Sequence, residues 1–264
     1  MSAIPLPTLF VSHGSTVMPS EPVPAREFLK ELGARYRQNI NAVLCISAHW
    51  ETLRHTVNSA INPEIIQDDY EGSKDSGPGK RYVPGSHDKA CQIADMISSA
   101  GIPCDVDNER GLDHGARVPL ELMFPNSGVP LIQLSIQRNL EPDHHIALGE
   151  SLSSLRKDGI LVMGSGGAVH PFGYPYVWIE DEAPTEPWAQ EFHHWLTAAI
   201  TDGNRDQVVN FRAHAPYHER AHPRPDHLMP LFVAWGAAGP GSRGRILHHS
   251  WYRGNQGLAA FEFS

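Results

Sequence analysis

The sequence predicts an α/β chain with a mostly parallel central sheet and helices on both faces. Short apolar runs alternate with longer segments whose apolar residues recur at helical spacing, and Gly- and Pro-rich turns separate the two kinds. Several of the short runs end at a histidine. Ligands of such sheets bind beyond the carboxyl ends of the strands, so the same pattern predicts where a site should lie.

Taken in order, Pro7 to Ser12 reads as a buried strand, and Pro24 to Arg37 as a helix with Phe28, Leu29, Leu32 and Tyr36 on one side. Ala42 to Ala48 is a strand buried on both faces that ends at His49. His87 to Ala100 follows as a helix, Cys104 marks a strand start, and Val118 to Phe124 is a short helix entered at Pro119. Val129 to Ile136 and Gly159 to Gly164 are strands flanking a helix over Pro142 to Lys157. Pro187 to Thr201 and Pro225 to Ala237 are helices, and Arg245 to Tyr252 with Gly257 to Phe263 forms a closing hairpin. The stretch from Asp68 to Pro84, rich in Gly, Asp, Lys and Tyr, has little periodicity and reads as a long functional loop.

The 264 residues suffice for one domain with a sizeable core, and no low-complexity linker divides them, so residues 1–264 are expected to form a single domain. A net charge of -9 without a run of Lys or Arg speaks against nucleic-acid binding. The residues from Met1 to Pro7 carry no basic segment, and nowhere do about 18 apolar residues run together, which predicts a cytoplasmic chain without membrane contact. Cys45, Cys91 and Cys104 show no Cys-x-x-Cys spacing and are expected to be reduced and structural.

Of the 16 histidines, five stand where a core has little use for them. His13 lies in Ser12-His13-Gly14-Ser15, His49 in Ser47-Ala48-His49-Trp50, His114 in Asp113-His114-Gly115, and His170 after Gly164-Ser165-Gly166-Gly167-Ala168-Val169. His227 follows Pro225-Asp226 and opens an apolar helix. A buried imidazole without a partner costs about 1 to 3 kcal/mol, so several at equivalent strand ends point to a metal site with acid/base help. Asp226, next to His227, is expected to point elsewhere. The stretch His218-Glu219-Arg220-Ala221-His222 spells the H-E-x-x-H pattern of zinc peptidases, but Pro216, Pro223 and Pro225 leave barely one helical turn to carry it. It reads as a decoy. His193 with His194 and His248 with His249 read as surface or interface pairs, His144 and His145 as solvated, and Trp50 as core.

The ordered segments Ser12 to Ser15, Ser47 to Trp50, Leu112 to Ala116, Pro130 to Ile136, Gly164 to His170 and Ala221 to Leu231 resemble the class III extradiol ring-cleavage dioxygenases, and among them the small 4,5-DOPA extradiol dioxygenase branch. The resemblance implies Fe(II) held by His13, His49 and His227, with His170 at the ion or just beside it and His114 lining the substrate pocket. It implies a catechol and O2 as reactants, with His114 or His170 moving the catechol proton. A monomer or homodimer is expected. The site departs from the usual two-histidine, one-carboxylate set of non-haem iron oxygenases, because all the matched donors are imidazoles. Such a set also suits zinc, which keeps open a zinc-dependent hydrolase and a metal-binding protein without catalysis. Arg117 stands where the branch often has Trp, Phe172 follows Pro171 where it often has Asn-Leu, and the loop beginning at Asp68 lacks the usual Gly-Phe-Pro segment. With Ser15, Arg117 and Phe172 are the expected substrate contacts, and Arg117 is suited to pairing with a substrate carboxylate.

Overall fold

The structure is a computed structural model that describes residues 4–66, 83–137, 139, 141–172 and 183–264. The chain runs β1 (Thr8–Ser12), α1 (Pro24–Tyr36), β2 (Ala42–Glu51), β3 (His55–Asn58), α2 (His87–Ser99), β4 (Cys104–Asp107), α3 (His114–Met123), β5 (Leu131–Ile136), α4 (Pro142–Ser151), β6 (Ile160–Gly166), α5 (Pro187–Thr201), α6 (Arg205–Val209), α7 (Phe211–His214), α8 (His218–Ala221), α9 (Met229–Ala238), β7 (Gly244–Tyr252) and β8 (Gln256–Phe263). The eight strands form one sheet in the order β4-β3-β5-β2-β6-β1-β8-β7. Its centre, β5-β2-β6-β1, is parallel, and the closing hairpin adds β8 antiparallel to β1.

Alternate residues of the central strands feed two cores. Leu9, Val11, Val43, Cys45, Leu161 and Met163 pack under α1 and α3, whereas Phe10, Leu44, Ile46 and Val162 pack under α4, α5 and α9. Because both faces are covered, β1 and β2 are buried along almost their whole length, and no polar alternation appears in their sequence. Each large apolar side chain so enclosed contributes about 1.5 to 3 kcal/mol. α9 is apolar on all sides and lies against β6, β1 and α4. Gly164 and Gly166 make that approach possible, since a Cβ at either would collide with the carbonyl of Pro230 or of His227.

Several boundaries differ from expectation. α3 begins at His114, four residues before the predicted start, because the Asp113 side chain accepts the Ala116 N–H and caps the helix. α9 begins at Met229, not Pro225. The amides of Leu228 and Met229 both bond to the Pro225 carbonyl in a turn, and Pro230 then takes the first helical turn, where its missing N–H costs nothing. α4 stops at Ser151 and a 3-10 turn over Ser153–Asp158 replaces its expected continuation. Strand β3 has no counterpart in the sequence reading; four residues with Thr56 and Val57 between polar neighbours give little pattern. The expected loop from Asp68 falls almost wholly at 67–82, outside the described residues. Among the described residues no helix is long and apolar enough to cross a membrane, and Cys45, Cys91 and Cys104 are free thiols.

Candidate metal centre

Three neighbouring parallel strands bring their carboxyl ends together, with Ser12 beside Gly166 and Ser47 beside Ser165. His13 follows β1 directly, and His170 comes four residues after β6. His49 lies within β2, which continues to Glu51 past a register shift against β5 between Ile46 and Glu51; such irregularities re-aim side chains at strand ends. His114 is the first residue of α3, and His227 sits in the turn leading into α9. All five rings meet: ring centroids are 4.9 Å apart for His13 and His49, 5.3 Å for His13 and His114, 5.3 Å for His13 and His227, and 3.5 Å for His170 and His227.

The hydrogen bonds fix how two of these rings present themselves. Ser165 donates its hydroxyl to the Gly115 carbonyl, so toward the Nδ1 of His13, 3.0 Å away, its oxygen is left as an acceptor. His13 therefore carries its proton on Nδ1. His227 Nδ1 likewise faces Asp226 Oδ2 at 3.1 Å. Burial alone would raise the Asp226 pKa, but the hydrogen bond with His227, helped by the nearby Arg224, outweighs it and holds it at about 2, leaving a carboxylate that only accepts. Asp226 thus does not point away, as its adjacency to His227 predicted; being in a turn rather than a helix, it folds back onto its neighbour.

Both rings then present bare Nε2 lone pairs to the same place. His49 Nε2 lies 3.0 Å from His13 Nε2 and 3.2 Å from His227 Nε2. One hydrogen on His49 can satisfy only one of those two lone pairs. A cation would satisfy both, and nitrogen separations of 3.0 and 3.2 Å are about those of imidazoles that share one ion at about 2.1 Å. The residues present therefore fit a metal ion. His114 offers a further nitrogen: donor atoms of His13, His49 and His114 all lie within 4.8 Å of one another. Burial, followed by the neighbouring His49, His227, His114 and His170, holds the His13 pKa well below the usual imidazole value, which keeps it neutral and available as a donor.

A second network, not evident from sequence, ties His49 to His114. Asp113, 2% exposed, accepts Ser47 Oγ at 2.7 Å and the Ala116 amide at 3.1 Å on one oxygen, and Arg110 at 3.3 Å together with Gln133 on the other. Ser47 Oγ in turn accepts the His49 amide at 3.2 Å. The helix-capping position of Asp113 before His114 was the available signal. A side chain at Gly115 would press on Ser47 Oγ at 2.5 Å and on the His49 ring at 3.1 Å, so this contact requires glycine.

His170 stacks flat on His227, with planes 7° apart, and Phe172 stacks on the other face of His170 at 4.5 Å. Burial and then His227 push the His170 pKa well down. Arg117, one turn after His114 on α3, meets Glu121 at 3.4 Å and the Thr16 carbonyl at 3.3 Å, and its Nε is buried without a partner among the described residues. Ser15 donates to Glu21 at 3.4 Å, and Tyr252 donates to the same carboxylate at 2.8 Å.

The H-E-x-x-H match comes apart in space. α8 is one turn long; His218 turns edge-on to Phe211, while His222 bonds the Ala168 carbonyl at 3.1 Å. Two other readings need correction. His193 is not at the surface but buried, stacked 3.7 Å from His249 between α5 and β7, because α5 closes over the hairpin. His145 is not solvated but fully buried, since it lies on the inward side of α4 against His55. Trp50 is core, as expected, with Arg110 over its ring.

A metal-binding histidine cluster at the carboxyl ends of an α/β sheet is the architecture of a metal-dependent enzyme. Residues 7–262 match the family profile described as the catalytic LigB subunit of aromatic ring-opening dioxygenase, and the chain belongs to that family. It is 38% identical to a 4,5-DOPA dioxygenase extradiol of Beta vulgaris, over 97% of this chain and 96% of that one. It is 31% identical to a 4,5-DOPA dioxygenase extradiol of Escherichia coli K12, over 90% and 87% of the two chains. The crystal structure of an uncharacterized Escherichia coli K12 protein superposes with a TM-score of 0.78 at 26% identity, covering 97% of this chain and 99% of that one. The protein is accordingly an extradiol ring-cleaving dioxygenase of a metal-dependent family.

Proposed function

We propose that residues 1–264 act as one catalytic domain that opens the ring of a catechol with O2, using Fe(II) held by His13, His49 and His227. The observation that carries this reading is the convergence of three Nε2 atoms, two of them with lone pairs fixed by Ser165 and Asp226. Fe(II), when bound, supplies one centre on which both catechol oxygens and O2 can be gathered.

The remaining histidines are left for proton work. His170 lies face to face with His227, centroids 3.5 Å apart, so it covers the face of a ring that would hold the metal. This supports His170 as a neighbour of the ion and not a fourth ligand. His114, 3.9 Å from His49 between ring centroids, flanks the centre from α3 and is assigned the catechol proton; His170 holds or returns a proton from the β6 side. Arg117 and Ser15 are assigned the α3 and β1 side of the substrate pocket, and Phe172, stacked on His170, its rim. The half-paired guanidinium of Arg117 favours a carboxylated catechol, DOPA-like or otherwise.

The test is an anaerobic Fe(II) reconstitution followed by oxygen with a panel of catechols. Stoichiometric O2 uptake with a yellow ring-opened product is expected, and faster turnover of carboxylated members. A protein that takes up Zn(II), hydrolyses esters or amides and consumes no O2 would replace this reading with the hydrolase.

A further inference from the structure

We propose that Pro119, a residue outside the metal centre, sets the tautomer of His13 through Ser165. In an unbroken helix the amide of residue 119 would bond the carbonyl of residue 115. Proline has no amide hydrogen, and α3 carries Pro119 in its interior, so the Gly115 carbonyl lacks its helical partner. That carbonyl is where Ser165 of β6 places its hydroxyl proton. Ser165 is wholly buried and has one proton to give. Having given it to Gly115, it can only accept from the His13 Nδ1 that stands 3.0 Å away.

The consequence runs from a backbone defect to a ligand atom. With its proton held on Nδ1, His13 must turn an unprotonated Nε2 toward His49. If residue 119 supplied an amide hydrogen, the helix would compete for the Gly115 carbonyl. Ser165 could then rotate its proton toward His13 and stabilise the tautomer with hydrogen on Nε2, which has no Nε2 lone pair to give a metal. Ser165 is on this account a positioning residue, and the helix-breaking proline is what keeps its acceptor open.

The inference rests on the reading of His13 as a ligand through Nε2, and its test separates the two. Imidazole nitrogen NMR on the metal-free full chain should show His13 protonated on Nδ1. Zn(II), used as probe in a chelator competition, should bind about 10- to 100-fold more weakly to Ser165→Ala, the range for loss of an outer partner of a metal-bound histidine. Pro119→Ala, which favours the helix and removes no side chain from the centre, should shift His13 in the same direction and weaken Zn(II) several-fold. The double variant should be no weaker than Ser165→Ala alone. A His13 signal and Zn(II) affinity unchanged in Pro119→Ala, or additive losses in the double variant, would overturn the relay. A His13 signal that responds while Zn(II) affinity stays constant would uphold the relay and remove His13 from the ligand set.

Discussion

Two buried clusters of histidines can be compared within this one chain. Around His55, His144 and His145 the ring nitrogens are used up by one another and by the backbone. His55 Nδ1 donates to the Ser135 carbonyl at 3.1 Å, which leaves its Nε2 to accept from His144 Nε2 at 2.9 Å. His145 Nε2 accepts the Gln137 amide at 3.3 Å and its Nδ1 faces the Glu141 carbonyl at 3.4 Å. A single set of tautomers satisfies all of these bonds. Among the described residues no such set is found around His13, His49 and His227, because Ser165 and Asp226 claim the Nδ1 hydrogens and force the lone pairs of His13 and His227 inward. The two clusters are alike in residue type, burial and ring contact. What separates them is whether the hydrogens can be shared out, and only the cluster where they cannot calls for an ion.

That contrast can be sharpened by removing groups from each cluster. The largest separable effect is on turnover: His114→Ala should keep its metal and lower kcat by roughly 10²-fold or more, the range for loss of a positioned acid/base. Metal analysis and oxygen-electrode kinetics on one preparation check this, and full activity would take the proton role away from His114. A smaller effect belongs to the other cluster and concerns stability. Burial holds His55 at about 4 and His145 at about 3, below the ordinary imidazole value near 6.5. Between those values the unfolded chain binds more protons than the folded one. Stability is therefore intact above about pH 6.5 and is lost as the pH falls toward 4. His55→Asn, which keeps a donor for the Ser135 carbonyl, should flatten that loss in urea titrations at pH 7 and pH 4.5 and leave metal content unchanged.

The clusters also differ in how far they could be read from the sequence. His13, His49 and His170 follow short apolar runs, and a parallel sheet necessarily brings such ends together, so the meeting place was legible. The partners that aim the rings were not. Ser165 lies inside β6 and Ser47 inside β2, where a serine looks like any small buried residue, and their roles depend on register between strands far apart in sequence. Asp226 is hard to place because a helix opening at Pro225 would turn it away from His227, whereas the chain there forms a turn before α9. His145 is hard to place because a His-His pair near a helix start resembles a solvated N-terminus, and only its contacts with His55 of β3 and with the Gln137 amide beyond β5 show that it points inward. Pro119 looked like an entry to a helix and is in fact an interruption within one.

Metal stoichiometry measures the difference between the clusters most directly. Metal-free chain titrated with Zn(II) or Fe(II) should bind one ion, with binding abolished in His13→Ala and in His49→Ala and retained in His55→Ala and in His144→Ala, all four remaining folded by circular dichroism. Full occupancy in the first pair, or loss of the ion in the second, would contradict the assignment of the metal to the strand-end cluster.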